Sequence, residues 1–453
     1  MDVALDLVGG RLIDGTGSPP KDECALRVQD GCIVAVWERD RRPKEAAEPA
    51  HRTIDLRGKT ILPGLIDAHC HISYGEGRSS EEVDVYGGAE WAAVRAVWNC
   101  GKVLRAGVTS FCDPGSTWNV AVTARDAIAS GMFEGPRIFA AGRHISADGA
   151  FADYFPSWLG MPVSAEGVLC GDQAEMVREV RKQVKNRVDL VKISGDSQAQ
   201  ERLDDAGAAF SDDEMHAIIA TAHRLGRKVT IHARYAKTVV AAVRANVDWL
   251  IHASYMKRED VGLVRDAGIP ICPTLTFTAN IVEWGKEAGV DPNYIETKRR
   301  ELEALVDIIG RCHQAGIPLM AGSESGFSVT PYGEWHTREL ELMVSHLGMK
   351  PMDAILTATR NNATAFGWTD TGAIKPGSRA DLLVVDGDPI ADIRVLGDPE
   401  RITAVFKDGR EVDRSRVVQR RRRMSHERGF GVSMHALHRS DTRGEKLRET
   451  HTH

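Results

Sequence analysis

Short apolar runs alternate with longer amphipathic stretches through the centre of the chain, from residue 61 to residue 370. Runs rich in Val, Ile and Leu predict eight buried strands, at residues 60–66, 108–112, 137–141, 190–194, 229–232, 249–252, 269–273 and 319–322. Stretches with the spacing of one helix face separate them, most clearly at residues 173–185, 211–225 and 294–315. This succession predicts an α/β fold, a (β/α)8 TIM-like barrel with its active site at the carboxyl ends of the strands. A doubly wound sheet is the alternative, but no glycine-rich phosphate-binding turn follows the first strand.

Both ends of the chain have a different pattern, in which short strands are separated by Gly-containing turns. The predicted strands are residues 5–12, 25–28 and 33–37 in the first sixty residues, and residues 382–385 and 403–407 near the other end. We therefore expect residues 1–60 and 371–412 to form one small β-sandwich domain from both chain ends. Residues 61–370 would then form the barrel, followed by a basic C-terminal extension over residues 413–453.

Composition excludes several classes of protein. A chain of 453 residues with 42% hydrophobic and 27% charged residues is typical of a soluble globular protein. No apolar run is long enough to cross a bilayer, and the N-terminus lacks a signal pattern. The eight cysteines have no paired spacing, which favours reduced thiols and a cytoplasmic location.

The basic extension raises the question of nucleic acid. It holds 11 Lys and Arg against 5 Asp and Glu, including four consecutive arginines at residues 420–423, whereas the whole chain has a net charge of −6. Proteins that bind single strands usually place aromatic residues among such cations, and none are interleaved here. We therefore predict a solvated extension and neither a nucleic-acid partner nor a membrane partner.

Candidate chemistry begins with His69 and His71 at the end of the first central strand. Side chains alternate along a strand, so both histidines should face one side while Cys70 faces the other. Two imidazoles converging from one strand suit a divalent transition metal whose other ligands come from elsewhere.

Titratable side chains also follow four other predicted strands. They are Lys192, His232, His252 and Glu324. A barrel opens its pocket at these strand ends, so six such residues together predict a metal site.

Several motifs resemble the metal-dependent amidohydrolase superfamily, in its lysine-bridged binuclear branch, close to the Xaa-Pro dipeptidase-like, phenylurea and molinate hydrolases. The motifs lie at residues 9–17, 63–71, 107–110 and 372–382. The resemblance implies that His69 and His71 bind the buried metal and that His232 and His252 bind the more exposed one. It also implies that Lys192 is carboxylated and bridges two divalent ions. Zinc is the default for such a site, and cobalt or manganese would also fit.

The resemblance also implies a base at the last strand, where the family usually has aspartate and this chain has Glu324. We expect Glu324 to bind metal and to move the reaction's proton, with His336 as a candidate helper. The dipeptidase-like relatives tend to have Gly-Gly-His after their third strand, and this chain lacks that histidine. The candidate substrate-binding residues are therefore His144, His336 and three residues, Tyr154, Phe155 and Trp158, of an aromatic loop that begins at Phe151.

These features together predict an enzyme that acts on small molecules. We expect it to cleave the C–N bond of a neutral amide, aryl urea or carbamate, other than an ordinary peptide bond, by metal-activated hydroxide. An Xaa-Pro-type dipeptidase is the first alternative, and a deaminase or a non-catalytic scaffold is less favoured because Lys192 and all four histidines are retained. We also expect a homo-oligomer.

Overall fold

The computed structural model describes residues 4–39, 41–197, 207–415 and 436–442. Its strands are β1 (Leu5–Leu12), β2 (Lys21–Gln29), β3 (Cys32–Glu38), β4 (Arg52–Asp55), β5 (Thr60–Pro63), β6 (Leu65–Asp67), β7 (Val108–Asp113), β8 (Arg137–Ala140), β9 (His144–Ser146), β10 (Gly167–Leu169), β11 (Leu190–Ser194), β12 (Lys228–Tyr235), β13 (Trp249–Tyr255), β14 (Ile271–Cys272), β15 (Leu382–Val385), β16 (Ile402–Lys407) and β17 (Arg410–Glu411). Its α-helices are α1 (Ser80–Asp84), α2 (Ala89–Arg105), α3 (Val120–Ala129), α4 (Gln173–Lys185), α5 (Asp212–Arg224), α6 (Ala236–Arg244), α7 (Val261–Ala267), α8 (Leu275–Trp284), α9 (Pro292–Gln314), α10 (Arg338–Leu347), α11 (Pro351–Leu356), α12 (Asn362–Phe366) and α13 (Arg439–Thr442). The arginines at 420–423 lie outside the described residues.

Strands from both chain ends share one eight-stranded sheet. Its order is β17-β16-β15-β5-β1-β2-β3, with β4 paired to β1. In β3 the buried positions Ile33, Ala35 and Trp37 alternate with less buried ones, as expected when one face of a strand covers a core. The common sheet agrees with the sequence prediction, and a two-layer sandwich remains a prediction.

The centre of the chain consists of parallel strands joined by helices. One sheet has the order β10-β9-β11-β12-β13-β14 and another has the order β6-β7-β8, and all their pairings are parallel. The strand β11 is buried at all five positions, because parallel strands are covered on both faces. This confirms the α/β class expected from the sequence.

One bridge links the two parallel sheets directly, and a second joins β14 to the segment 319–325. Ala141 pairs with Leu190 on one side, and Ile271 pairs with Leu319 on the other. The segment after Leu319 then meets the end of β6, where the Ala68 amide donates to the carbonyl of Ala321 over 2.8 Å. The carboxyl ends of β6, β11, β12 and β13 and the segment 319–325 are thereby set around one region.

Helix boundaries follow local capping signals that are visible in the sequence. The α4 helix begins after Asp172, whose carboxylate accepts the Glu175 amide over 2.8 Å. The α5 helix begins with a capping box in which Ser211 and Glu214 satisfy each other's backbone amides. Both helices therefore lie within one residue of their predicted bounds.

Two further observations concern the chain as a whole. No helix in the described ranges is long and apolar enough to span a bilayer. All eight cysteines lie within those ranges, and all are free thiols, as the sequence predicts.

Replacing Arg27 by alanine should destabilise the sheet built from both chain ends. Arg27 Nε donates to Asp6 over 2.7 Å, and both side chains are less than 5% exposed. Removing one partner of a buried ion pair costs about 3–5 kcal/mol of unfolding free energy. We expect a loss near the lower limit, because Arg42 still contacts Asp6 at 2.7 Å.

The measurement is the urea midpoint of unfolding, followed by circular dichroism. Arg57→Ala is the matched control, because Arg57 is 81% exposed and its ion pair with Asp55 lies at the surface. Its midpoint should equal that of the unchanged protein. Equal shifts in the two variants would contradict the prediction.

Candidate metal centre

His69 and His71 lie directly after β6 and their rings meet. Their Nε2 atoms are 2.8 Å apart, and both side chains are buried. His71 Nδ1 donates to the carbonyl of Gly115 over 2.8 Å, so its Nε2 carries the lone pair. His69 Nδ1 has no hydrogen-bond partner within the described part of the chain. The structure thus brings these two histidines together as the sequence predicts.

His232 and His252 form a second pair at the ends of β12 and β13. His232 Nδ1 lies 3.1 Å from His252 Nε2. His252 Nδ1 donates to Thr274 Oγ1, which itself donates to the carbonyl of Pro273 over 2.7 Å, so His252 Nε2 faces the other ring with its lone pair. The ring centroids of His252 and His69 are 5.7 Å apart, which joins the two pairs.

Lys192 projects from β11 into this group of imidazoles and is 1% exposed. No hydrogen bond or ion pair reaches its Nζ from the described side chains. Burial lowers the pKa of Lys192 to about 7. A large fraction of a buried lysine in this state is a neutral amine, which is the nucleophilic form that carbon dioxide requires.

Burial also sets the state of the histidines. It lowers the pKa of His69, His232 and His252 well below the usual value, and neighbouring positive groups, Lys192 among them, add to the effect. A neutral imidazole with a free lone pair is the form that binds a metal.

Glu324 lies where the segment 319–325 meets β6. Its amide donates to the carbonyl of His69 over 2.7 Å. Burial raises the pKa of the Glu324 carboxyl, while the charge of Arg234 opposes the rise. Glu324, His252 and Thr274 all have left-handed backbones, with φ of 55°, 75° and 54°. Strain of this kind concentrates at functional sites.

The nitrogen atoms of the two histidine pairs fit a pair of divalent ions. In the described ranges no three His, Cys, Asp or Glu side chains are close enough together to hold a metal ion as they are placed. The two nitrogen pairs, at 2.8 and 3.1 Å, lie close to the roughly 3.4 Å that separates two tetrahedral zinc ligands. Binding through His232 Nδ1 requires the ring proton at Nε2. There the Asp196 carboxylate lies 3.4 Å away and can accept the proton once Arg234 Nη1, which donates to the same nitrogen over 2.8 Å, has shifted.

His144 is a fifth buried imidazole beside the two pairs. Its ring centroid is 6.1 Å from that of His71, and its Nδ1 lies 3.1 Å from Ser194 Oγ. Its Nε2 has no partner among the described atoms. Gly115 leaves the space that this ring uses, because a Cβ there would lie 1.6 Å from His144 Nε2.

His336 is near the centre but faces away from it. Its Nδ1 donates to Asp67 Oδ2 over 2.6 Å, and its Nε2 accepts the Gly333 amide over 3.0 Å. Both ring nitrogens are therefore used within the fold. The expectation that His336 contacts substrate or moves its proton is not met by this arrangement, because neither nitrogen is free.

The structure brings only part of the predicted aromatic loop to the centre. Tyr154 hydrogen-bonds with buried Glu166 and meets the Phe151 ring edge-on at 5.7 Å. Phe155 is half-buried, and Trp158 is 83% exposed, because the loop turns outward where the Leu159 amide donates to the carbonyl of Pro156. Trp158 thus does not reach the site as placed here.

Other aromatic side chains surround the histidines; Phe151 belongs to the aromatic loop that the sequence indicated, whereas Tyr74 and Phe327 were missed as site residues. Phe151 stacks on His232 with centroids 3.9 Å apart, and Tyr74 stacks on His71 at 4.2 Å. Phe327 meets His71 edge-on at 6.2 Å. The sequence could have indicated Tyr74 as a site residue, because it lies three residues after His71.

A cationic cluster beside His232 was also missed. Arg234 Nε and Lys298 Nζ donate to the same carboxylate, that of Glu301, over 2.7 and 2.6 Å. Arg234 Nη1 lies 2.8 Å from His232 Nε2. The alternation of β12 places Arg234 on the same side as His232, and this was the available signal.

Comparisons with known proteins agree with this architecture. The family described as "Amidohydrolase family" matches residues 60–412. An ochratoxinase of Aspergillus niger is 27% identical over 430 residues, which cover 89% of this chain and 85% of that protein. A crystal structure of an Xaa-Pro dipeptidase is 27% identical with a TM-score of 0.79, covering 90% of this chain and 99% of that one. A molinate hydrolase structure shares the fold, with 24% identity, a TM-score of 0.78 and coverage of 94% and 98%. The chain belongs to the amidohydrolase family.

Proposed function

We propose that this protein is a metal-dependent hydrolase that cleaves an amide-type C–N bond outside ordinary peptides. The observation that carries the proposal is the convergence of two histidine pairs on Lys192, a buried lysine without a partner among the described residues. A solely structural lysine at 1% exposure would need hydrogen bonds or a counter-ion. Family membership supports a hydrolase, as does the similarity to an ochratoxinase and an Xaa-Pro dipeptidase.

The linked parallel strands support closure into a (β/α)8 barrel over residues 61–370. The shared terminal sheet supports a second domain from residues 1–60 and 371–412. In this arrangement His69 and His71 would hold one ion, His232 and His252 the other, and a carboxylated Lys192 would bridge them, with Glu324 beside both. Zinc suits this donor set best, and cobalt or manganese fits as well. The bound ions would supply Lewis acidity, which polarises a carbonyl group and makes water acidic near neutral pH.

Glu324 is the proposed proton carrier. Its carboxylate takes a proton from the attacking water, and the water oxygen bonds to the carbonyl carbon. The same carboxyl then gives the proton to the leaving nitrogen as the C–N bond breaks. Burial raises the pKa of this carboxyl, which suits both accepting and donating a proton.

His144 is the proposed contact for the substrate's carbonyl oxygen. If Ser194 donates its hydroxyl proton to His144 Nδ1, the ring proton lies on the unpartnered Nε2. That N–H can donate to an oxygen on which negative charge develops.

The substrate proposed first is a neutral aryl urea, carbamate or anilide. The rings of Phe151, Tyr74 and Phe327 around the histidines support a flat neutral group. A deaminase is less favoured because the lysine is retained, and a scaffold is less favoured because all four histidines converge.

A second candidate is an amide that carries a carboxylate, as in an Xaa-Pro-type dipeptide. The favouring observation is the Arg234–Lys298–Glu301 cluster, which lines a small cavity that reaches His232. When His232 carries its proton on Nε2, Arg234 Nη1 loses its acceptor there. Arg234 Nη1 can then donate to an anion.

Two substitutions should separate proton transfer from metal binding. Glu324→Gln should keep the metal and lower kcat by about 10²–10⁴-fold, because an amide cannot carry the proton. Lys192→Ala should lose metal, since no bridging group remains. Metal content by elemental analysis and hydrolysis of phenylureas, thiocarbamates, anilides and Xaa-Pro dipeptides are the measurements. Full metal content in Lys192→Ala, or an unchanged rate in Glu324→Gln, would refute these assignments.

A matched pair of substrates should decide between the two candidates. An N-acyl amino acid and its C-terminal carboxamide differ only in the charge near Arg234. If the carboxylate is recognised, kcat/KM should favour the acid by about tenfold or more, in line with a charged hydrogen bond. Arg234→Met should abolish this preference, and Arg258→Met, at an exposed ion pair, should not. Equal rates for acid and carboxamide would leave the neutral class as the substrate.

A further inference from the structure

Asp67, the last residue of β6, connects the two segments that carry His69 and Glu324. Its Oδ1 accepts the backbone amides of His69 and Ser323 over 2.9 and 3.0 Å. Its Oδ2 accepts the Ser323 hydroxyl and His336 Nδ1. One buried carboxylate therefore fixes the spacing between the first histidine and the proposed proton carrier.

His336 donates a hydrogen bond to the Asp67 carboxylate and accepts one from the backbone of the loop 333–337. The Gly333 amide donates to its Nε2 over 3.0 Å, so the ring proton must lie on Nδ1, towards Asp67. The imidazole thus transmits the position of the loop 333–337 to Asp67.

The outer side of that loop carries residues from the end of the chain. The Leu437 amide donates to the carbonyl of Ser328 over 2.8 Å, and Trp335 Nε1 donates to the carbonyl of Leu437 over 3.0 Å. His438 Nδ1 and the Arg439 amide both reach the Glu334 carboxylate, each over 2.6 Å.

The Arg439 side chain completes this contact. Its guanidinium lies over the Trp335 ring at 5.7 Å and donates to Glu341 and to Thr337 Oγ1. Gly397 leaves room for it, since a Cβ there would lie 2.5 Å from Arg439 Nη1. Leu437 is 5% exposed, so this part of the basic extension is packed on the body.

We propose that residues 436–442 are a positioning element of the candidate metal centre, acting through His336 and Asp67. The contacts run without a gap from Arg439 and His438 to Glu334, through the loop to His336, and from Asp67 to His69 and Ser323. Residues 436–442 thereby act in the proposed reaction through other residues, and within this described segment none touches the reacting atoms. The kinetic test rests on the proposed function, and the exchange test below does not.

Hydrogen–deuterium exchange of the full chain tests the positioning directly. The amides of His69 and Ser323 both donate to Asp67, so their exchange rates report its position. Arg439→Ala should raise exchange in the loop 325–337 and also at these two amides. Arg258→Ala is the matched control and should change neither, because its ion pair with Asp307 is exposed. Faster exchange confined to the loop, with His69 and Ser323 unchanged, would overturn the proposal.

Variants at His336 test the link itself. His336→Ala should raise exchange at the same two amides without Arg439 being changed. His336→Asn should restore slow exchange, because its side-chain amide can donate to Asp67 from about the position of Nδ1. The control is His223→Ala, which breaks a similar 2.8 Å contact to Asp248 far from the centre. Failure of His336→Asn to differ from His336→Ala would refute the hydrogen-bond link.

The kinetic test uses a substrate that the unchanged protein hydrolyses. Arg439→Ala and His336→Ala should each lower kcat about ten- to a hundredfold with little change in KM. A displaced Asp67 would shift the Glu324 carboxylate that carries the proton, but it would leave the contacts to the substrate in place. The double variant should be no slower than the slower single one, since both break the same chain of contacts. Multiplied losses in the double variant would show independent effects and overturn the proposal. If no substrate is hydrolysed, the proposed function fails while the exchange test still decides the positioning.

Discussion

The burial of one lysine among four imidazoles is the constraint on which the rest of this structure depends. Lys192 has no hydrogen bond or close ion pair in the described chain, and burial lowers its pKa to about 7 although the charge of Glu324 opposes the shift. Burying such a group costs free energy because the group loses its hydration, so the fold needs other favourable interactions to compensate. The surrounding side chains share this burial, which lowers the pKa of His69, His232 and His252. The second ring nitrogens of His71 and His252 are hydrogen-bonded to Gly115 and Thr274. Hydrogen bonds to surrounding backbone and side-chain groups therefore orient the imidazoles of the site.

Rigidity at this centre comes from the backbone as much as from side chains. Glu324, His252 and Thr274 have left-handed conformations that are costly for residues with a side chain. Neighbouring hydrogen bonds maintain them, such as the one from the Glu324 amide to His69. The family usually places aspartate at the last strand, and the longer Glu324 needs its backbone fixed if its oxygens are to reach the same space. Asp67 and the loop behind it supply that fixation.

The sequence was sufficient wherever function follows local spacing. Strand alternation placed His69 and His71 on one side, and apolar runs indicated Lys192, His232 and His252, although their strands continue two or three residues beyond them. Capping residues such as Ser211 bounded the helices. It was insufficient for His336, whose partner Asp67 lies 269 residues earlier in the chain. The sequence was insufficient for Trp158 for a related reason: an aromatic residue in a loop has no periodicity to show which way it points, and this one is exposed.

The pairing of β5 with β15 determines when this molecule can finish folding. Thr60 opposes Val385, and Pro63 opposes Leu382. The early strand β5 therefore cannot complete this pairing until β15 has been synthesised, more than three hundred residues later. At a ribosomal rate of about 5–20 residues per second, the delay is roughly 15–65 s. During that time β5, just ahead of His69, has an unpaired edge of the kind that associates with other chains. During synthesis this protein therefore has an unpaired strand edge beside its candidate metal ligands until β15 has been made.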